Sequence, residues 1–155
     1  MSTRYETSRR FEATWPLAAV AGLVAGLVRP VAVAVLTAAG IDVGALELTL
    51  QHELPYWWAI HFAYSFAFGA VYGLIASWDR VQTVAARPLT GAAVGVLYGI
   101  ALWALNVVVL WTVITALLPL LASNASLFGP LLGHLVYGAV LGGLYPLLVG
   151  SLHKL

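Results

Sequence analysis

Apolar residues in this chain come in long uninterrupted blocks, set off from one another by short polar stretches. Four such blocks run from about Pro16 to Gly40, Pro55 to Trp78, Pro88 to Leu118 and Leu127 to Leu152. Each reaches the ~20 residues that a helix needs to cross a bilayer. The third is longer than one crossing requires, which predicts a tilted helix or one that runs past the membrane. Three of the four open at or near a proline, a residue that a first helical turn accommodates. Arg9 and Arg10 precede the first block, as in a secretory signal, but the apolar run is too long and no small-residue cleavage site follows it, so the segment is expected to be retained.

Composition agrees with the blocks. The chain has 155 residues, of which 62% are hydrophobic and only 8% charged. Soluble domains average about 25% charged. That shortage of charge excludes a cytosolic enzyme and a disordered tail, and a net charge of +1 argues against a nucleic-acid partner. The absence of cysteine removes disulfides, thiolate metal sites and cysteine nucleophiles.

The cations fix an expected orientation. Arg4, Arg9 and Arg10 precede the first block, Arg80 and Arg87 separate the second from the third, and Lys154 follows the fourth. All fall on one side of the expected membrane, whereas the longer opposite loop carries Asp42, Glu47 and Glu53. Both termini are therefore expected in the cytoplasm. Residues 1–14 form a cytoplasmic tail and residues 15–155 a four-span domain.

The second half of the chain repeats the first at an offset of 73 residues. His61, Tyr64, Gly69 and Tyr72 recur as His134, Tyr137, Gly142 and Tyr145, while Gly22 and Gly26 recur as Gly95 and Gly99. Repeat one covers about residues 15–80 and repeat two about 88–153. Each repeat holds an even number of spans, so both share one orientation and are expected about a pseudo-twofold axis along the membrane normal. The predicted fold is all-α, an integral membrane four-helix bundle of two parallel-repeat hairpins.

On helical wheels at ~100° per residue, small and polar positions coincide in all four spans. Gly22, Gly26 and Arg29 share a face of the first, His61, Tyr64, Ser65 and Gly69 of the second, Gly95, Gly99 and Asn106 of the third, and His134, Tyr137 and Gly142 of the fourth. Packing these faces together predicts close contact at the glycines. It also predicts a polar layer of His61, His134, Arg29, Asn106, Tyr64, Tyr137 and Ser65 in the outer half of the membrane, with the histidines roughly 10 Å from the helix ends. Arg29 is the expensive member, at ~3 kcal/mol for a guanidinium near the bilayer centre. Pro30 and Pro146 free the carbonyls of Gly26 and Gly142, and the first of these is an expected partner for Arg29.

Several chemistries are open to such a layer. His61 and His134, brought together, can ligate a b-type haem through both axial positions, or simply hydrogen-bond neighbouring tyrosines and carbonyls. Arg29 with Asn106, Tyr64 and Tyr137 can hold an anion, a lipid headgroup or a quinone carbonyl, or serve a small anion or proton transporter. Two histidines without a carboxylate are a thin set for another metal, and no metal site is expected. No hydrolase triad, nucleotide loop or carboxylate pair is legible, so catalytic residues are not assigned. Leu46, Leu48, Leu50 and Leu54 mark 43–54 as a re-entrant or interfacial connector; the alternative is that its His52 and Glu53 line the mouth of the layer. Trp15, Trp57, Trp58 and Trp78 read as interface anchors, and Asn124-Ala125-Ser126 matches a glycosylation sequon.

His61-x3-Ser65-x6-Tyr72 and Gly133-His134-Leu135-Val136 resemble the YagU-like inner-membrane proteins, small multi-span proteins for which no activity carries over. This chain departs from them in lacking a long charged C-terminal tail. The resemblance implies an inner or plasma membrane and marks His61 and His134 as family positions. The Ala, Val and Gly bias with few lysines points to a GC-rich prokaryote. The leading expectation is a non-catalytic multi-pass protein that acts as a subunit or homo-oligomer.

Overall fold

The computed structural model describes residues 2–41, 56–117 and 128–152. Regular structure among them is helical throughout: α1 (Ser2–Ala38), α2 (Trp57–Ala76), α3 (Asp79–Ala85), α4 (Pro88–Trp103), a π-helical stretch (Ala104–Trp111), α5 (Thr112–Leu117) and α6 (Phe128–Leu152). Four helical segments, 14–38, 57–76, 88–109 and 129–151, are long and apolar enough to cross a membrane, as in a multi-pass membrane protein. The expected connector over 43–54, with His52 and Glu53, the sequon and Lys154 lie outside the described residues.

Local chemistry explains most element boundaries. α1 stops at Gly40, whose φ of 83° suits a residue without a Cβ. The Gly40 amide bonds the Thr37 carbonyl and the Ile41 amide the Leu36 carbonyl, both at 3.0 Å, which completes a Schellman cap. Pro88 occupies the first turn of α4, where its missing N–H is no loss. Pro16 departs from the expectation: it lies inside α1, which already begins at Ser2, so the segment read as a tail is helical. The favourable residues before Pro16 extend the helix, and proline removes only one of its bonds. The polar stretch between the second and third apolar blocks likewise folds into the short helix α3.

Two antiparallel hairpins, α1/α2 and α4/α6, make the closest contacts, and α6 packs also on α1. Glycines set both hairpin distances. A Cβ on Gly22 would collide with the Ser65 carbonyl, and one on Gly69 with the Ala18 carbonyl. In the second hairpin Gly95 and the Gly138 carbonyl meet in the same way, as do Gly138 and the Gly95 carbonyl, Gly142 and the Gly91 carbonyl, and Gly99 and the His134 carbonyl. Each glycine Cα thus faces a carbonyl of the opposite helix, the arrangement in which Cα–H···O contacts form.

Between the hairpins the packing is uneven. α1 and α6 come together, whereas the α2 and α4 backbones stay further apart. Side-chain size accounts for this. α1 carries Ala21 and Ala25, both 0% exposed. The positions 73 residues later are Val94 and Tyr98. Tyr98 and Tyr72, with ring centroids 5.4 Å apart, stand between α2 and α4 and hold them open.

Gly95→Ala is expected to destabilise the purified protein by about 1–3 kcal/mol, because a methyl must displace backbone. Gly150→Ala, with nothing within 4 Å of the added Cβ, is expected to be neutral or slightly stabilising. Thermal or denaturant unfolding in detergent compares the two.

Candidate functional site

The polar residues gather toward one end of the bundle, where α1 finishes and α2 and α6 begin. Three of them bind backbone carbonyls close to that end. The His61 Nε2–H donates to the Gly26 carbonyl at 2.7 Å. This is the oxygen that Pro30 leaves without its helical donor. An imidazole from the neighbouring helix thus binds the oxygen for which Arg29 was the expected partner, since Gly26 and Gly22 bring α2 within reach. His134 Nδ1–H donates to the Pro130 carbonyl one turn back, also at 2.7 Å. Ser65, buried against Gly26, turns its hydroxyl to its own helix and donates to the His61 carbonyl at 2.8 Å.

A carbonyl only accepts, so each histidine carries its proton on the bonded nitrogen. The nitrogen with the lone pair is therefore Nδ1 on His61 and Nε2 on His134. The two sequence-equivalent histidines present different atoms. The His61 ring also stacks on Trp57 at 4.5 Å with 10° between the planes. A haem held by both residues would have to ligate Nδ1 of His61 or break its bond to Gly26, beside an indole that already covers one face of the ring.

Arg29 comes from α1 and rests on Gly133 of α6. A Cβ at Gly133 would lie 2.9 Å from the guanidinium Nε and 3.2 Å from Nη2. The guanidinium thus uses the space of a missing side chain. Gly133 directly precedes His134, and His61 bonds Gly26 one turn before Arg29, so both imidazoles stand beside the guanidinium.

Tyrosine hydroxyls tie the hairpins to each other. Tyr137 donates to the Ser65 carbonyl at 2.9 Å and Tyr98 to the Phe68 carbonyl at 2.8 Å. Tyr72 reaches the Gly91 carbonyl at 3.4 Å, and Tyr145 is hydrogen-bonded to the Thr14 side chain. Tyr72 and Tyr145 meet edge to face at 5.7 Å.

The structure thus brings together Arg29, His61, His134, Ser65 and Tyr137. It leaves Tyr64 out: Tyr64 is 55% exposed whereas Tyr137 is 4% exposed. At ~100° per residue Tyr64 lies at one edge of the face it was expected to share with His61 and Gly69, and its ring packs on Phe68 one turn on, 5.5 Å away. Asn106 is half-buried within the π-helical stretch. The wider π turn shifts it from the angular position that α-helical spacing from Gly95 and Gly99 gives. The glycines expected at the helix contacts, Gly22, Gly26, Gly69, Gly95, Gly99 and Gly142, are all found there.

Three contributors escaped the pattern reading. Tyr98 interrupts a small-residue face and shows only when it is aligned with Ala25. Gly133 matters because its counterpart in the first half is Ile60. Trp57, read as an interface anchor, is buried against His61. Trp58 and Trp78 are exposed, as such anchors are.

The chain matches no protein-family model, no curated protein and no solved structure.

Tyr137→Phe is expected to lower stability by about 0.5–1.5 kcal/mol, because it leaves the buried contact with Ser65 without its bond. Tyr64→Phe is expected to change nothing measurable. Parallel melting curves in one detergent distinguish them.

Proposed function

We propose that the protein is a non-catalytic, multi-pass membrane subunit that works through helix contacts. The observation that carries this reading is how its polar side chains are used. His61, His134, Ser65, Tyr98 and Tyr137 each donate to a backbone carbonyl. Groups committed in this way hold helices in place and are poorly suited to shuttle protons or attack a substrate.

In this reading the bundle arose by duplication of a helical hairpin. The recurrence of glycine–carbonyl contacts 73 residues apart supports that origin, with Ala18–Gly69 matched by Gly91–Gly142 and Gly22–Ser65 by Gly95–Gly138. The two copies are related by a pseudo-twofold axis in their hairpin interiors and have diverged between hairpins. The bundle lies in a prokaryotic plasma membrane with both termini in the cytoplasm. The exposed Arg80 within α3 and Arg87 just after it, at the same end as the start of α1, support that orientation.

The partner is a second copy of the chain or another membrane subunit. The face it meets is the one around the π-helical stretch. Leu105, Val108 and Val109 are exposed there, and Asn106 is the polar group among them. A half-exposed amide in hydrocarbon gains a hydrogen bond by pairing across helices, worth about 0.6–2 kcal/mol.

Native mass spectrometry and cross-linking in lipid nanodiscs are expected to show a defined oligomer or a co-purifying subunit, weakened by Asn106→Val. A strictly monomeric protein without any partner overturns the proposal. Protein expressed with supplemented haem is expected to show no Soret band; a band lost in His61→Ala and His134→Ala would replace this reading with electron transfer.

A further inference from the structure

We propose that Arg29, seated on Gly133 and flanked by His61 and His134, binds a phosphate oxyanion. The inference rests on the membrane reading above but not on the assembly face at Asn106, so either can fail alone.

The seat comes first. With a side chain at residue 133 the guanidinium would have to shift, since the Nε would be 2.9 Å from its Cβ. The positions matched at the offset of 73 are Leu102 in α4 and Ile60 in α2, both apolar. Where α1 meets α6, an arginine and a glycine therefore stand at positions whose counterparts are both aliphatic. A helix contact in lipid has no need of a guanidinium, which is costly there. What it adds is a permanently charged fork held in a fixed place.

The surroundings suit an anion. The four candidate spans contain no Asp or Glu, so the layer carries net positive charge. Each flanking imidazole has one nitrogen committed to a carbonyl and the other able to accept a hydrogen bond, such as one from a phosphate hydroxyl. Planar bidentate contact with phosphate oxygens is the guanidinium's characteristic interaction.

The site can also be reached. Arg29, His61 and His134 are half-buried rather than enclosed. Gly133 stands four residues after Gly129, which at 1.5 Å per residue places the guanidinium about 6 Å below the first turn of α6. That depth lies just beneath the headgroup zone. A lipid phosphate and a free phosphate ion can both arrive there, and they share the chemistry that the site recognises.

Two measurements on the whole purified protein separate the sources. Native mass spectrometry with phosphatidylglycerol against phosphatidylcholine is expected to show a selectivity for the anionic lipid that falls about tenfold in Arg29→Gln, the loss of one charge-assisted contact. Thermal unfolding in inorganic phosphate against chloride at equal ionic strength reports the free ion. Selectivity among lipids with no phosphate effect identifies a headgroup, and a phosphate-specific rise in Tm that Arg29→Gln abolishes identifies the free ion. Wild-type protein that shows neither overturns the proposal. Should Arg29→Gln fail to fold, Gly133→Ala keeps the charge and removes its seat, and it is expected to lose the same response; wild-type behaviour in Gly133→Ala also overturns the proposal.

Discussion

The approach of glycine Cα atoms to carbonyl oxygens across each hairpin is the constraint on which the rest depends. In lipid no hydrophobic effect presses helices together, so close packing and weak polar contacts must do it. Gly22, Gly69, Gly95, Gly138 and Gly142 remove the Cβ atoms that would keep the axes apart. Once the backbones are this near, side chains one helix over come within hydrogen-bond range of carbonyls they would otherwise never meet. The bond from His61 to Gly26 is the clearest case, because Pro30 opens that oxygen and Ser65, in contact with Gly26, shows how close α2 stands.

The same constraint explains why the two halves differ although their hairpin interiors correspond. Hairpin spacing is fixed by residues that recur 73 positions apart. Hairpin-to-hairpin spacing is fixed by residues that do not. Ala25 in α1 lets α6 approach; Tyr98, its counterpart in α4, holds α2 off and uses its hydroxyl to bridge the gap to Phe68. Arg29 on Gly133 and the apolar Leu102 with Ile60 are a second divergence at matched positions. The bundle has one closed side and one side bridged by aromatic rings.

Much of this was legible in the sequence, for identifiable reasons. The four apolar helices follow from block length alone, and the glycine faces follow from 3.6-residue periodicity, because both are properties of a single helix. The polar layer was legible only in part. His61, Ser65, His134, Tyr137 and Arg29 do converge, but Tyr64 sits at one edge of its face, exposed and packed on Phe68. Asn106 was placed by assuming α-helical spacing through a stretch that is π-helical. The partner of the Gly26 carbonyl could not be read from α1, since it comes from a neighbouring helix whose rotation only tertiary packing fixes.

The central claim is that both hairpins close through the same set of small residues, and engineered cysteines test it most directly in a chain that has none of its own. A Cβ at Gly143 would lie 3.6 Å from the Ala92 Cβ, within the range that a disulfide spans. Ala19 and Ala70 are the matching positions in the first hairpin. Oxidation in native membranes is predicted to cross-link the pair Ala92→Cys with Gly143→Cys, and equally the pair Ala19→Cys with Ala70→Cys, within one chain. Failure of both pairs to link, or linkage only between separate chains, would contradict the account.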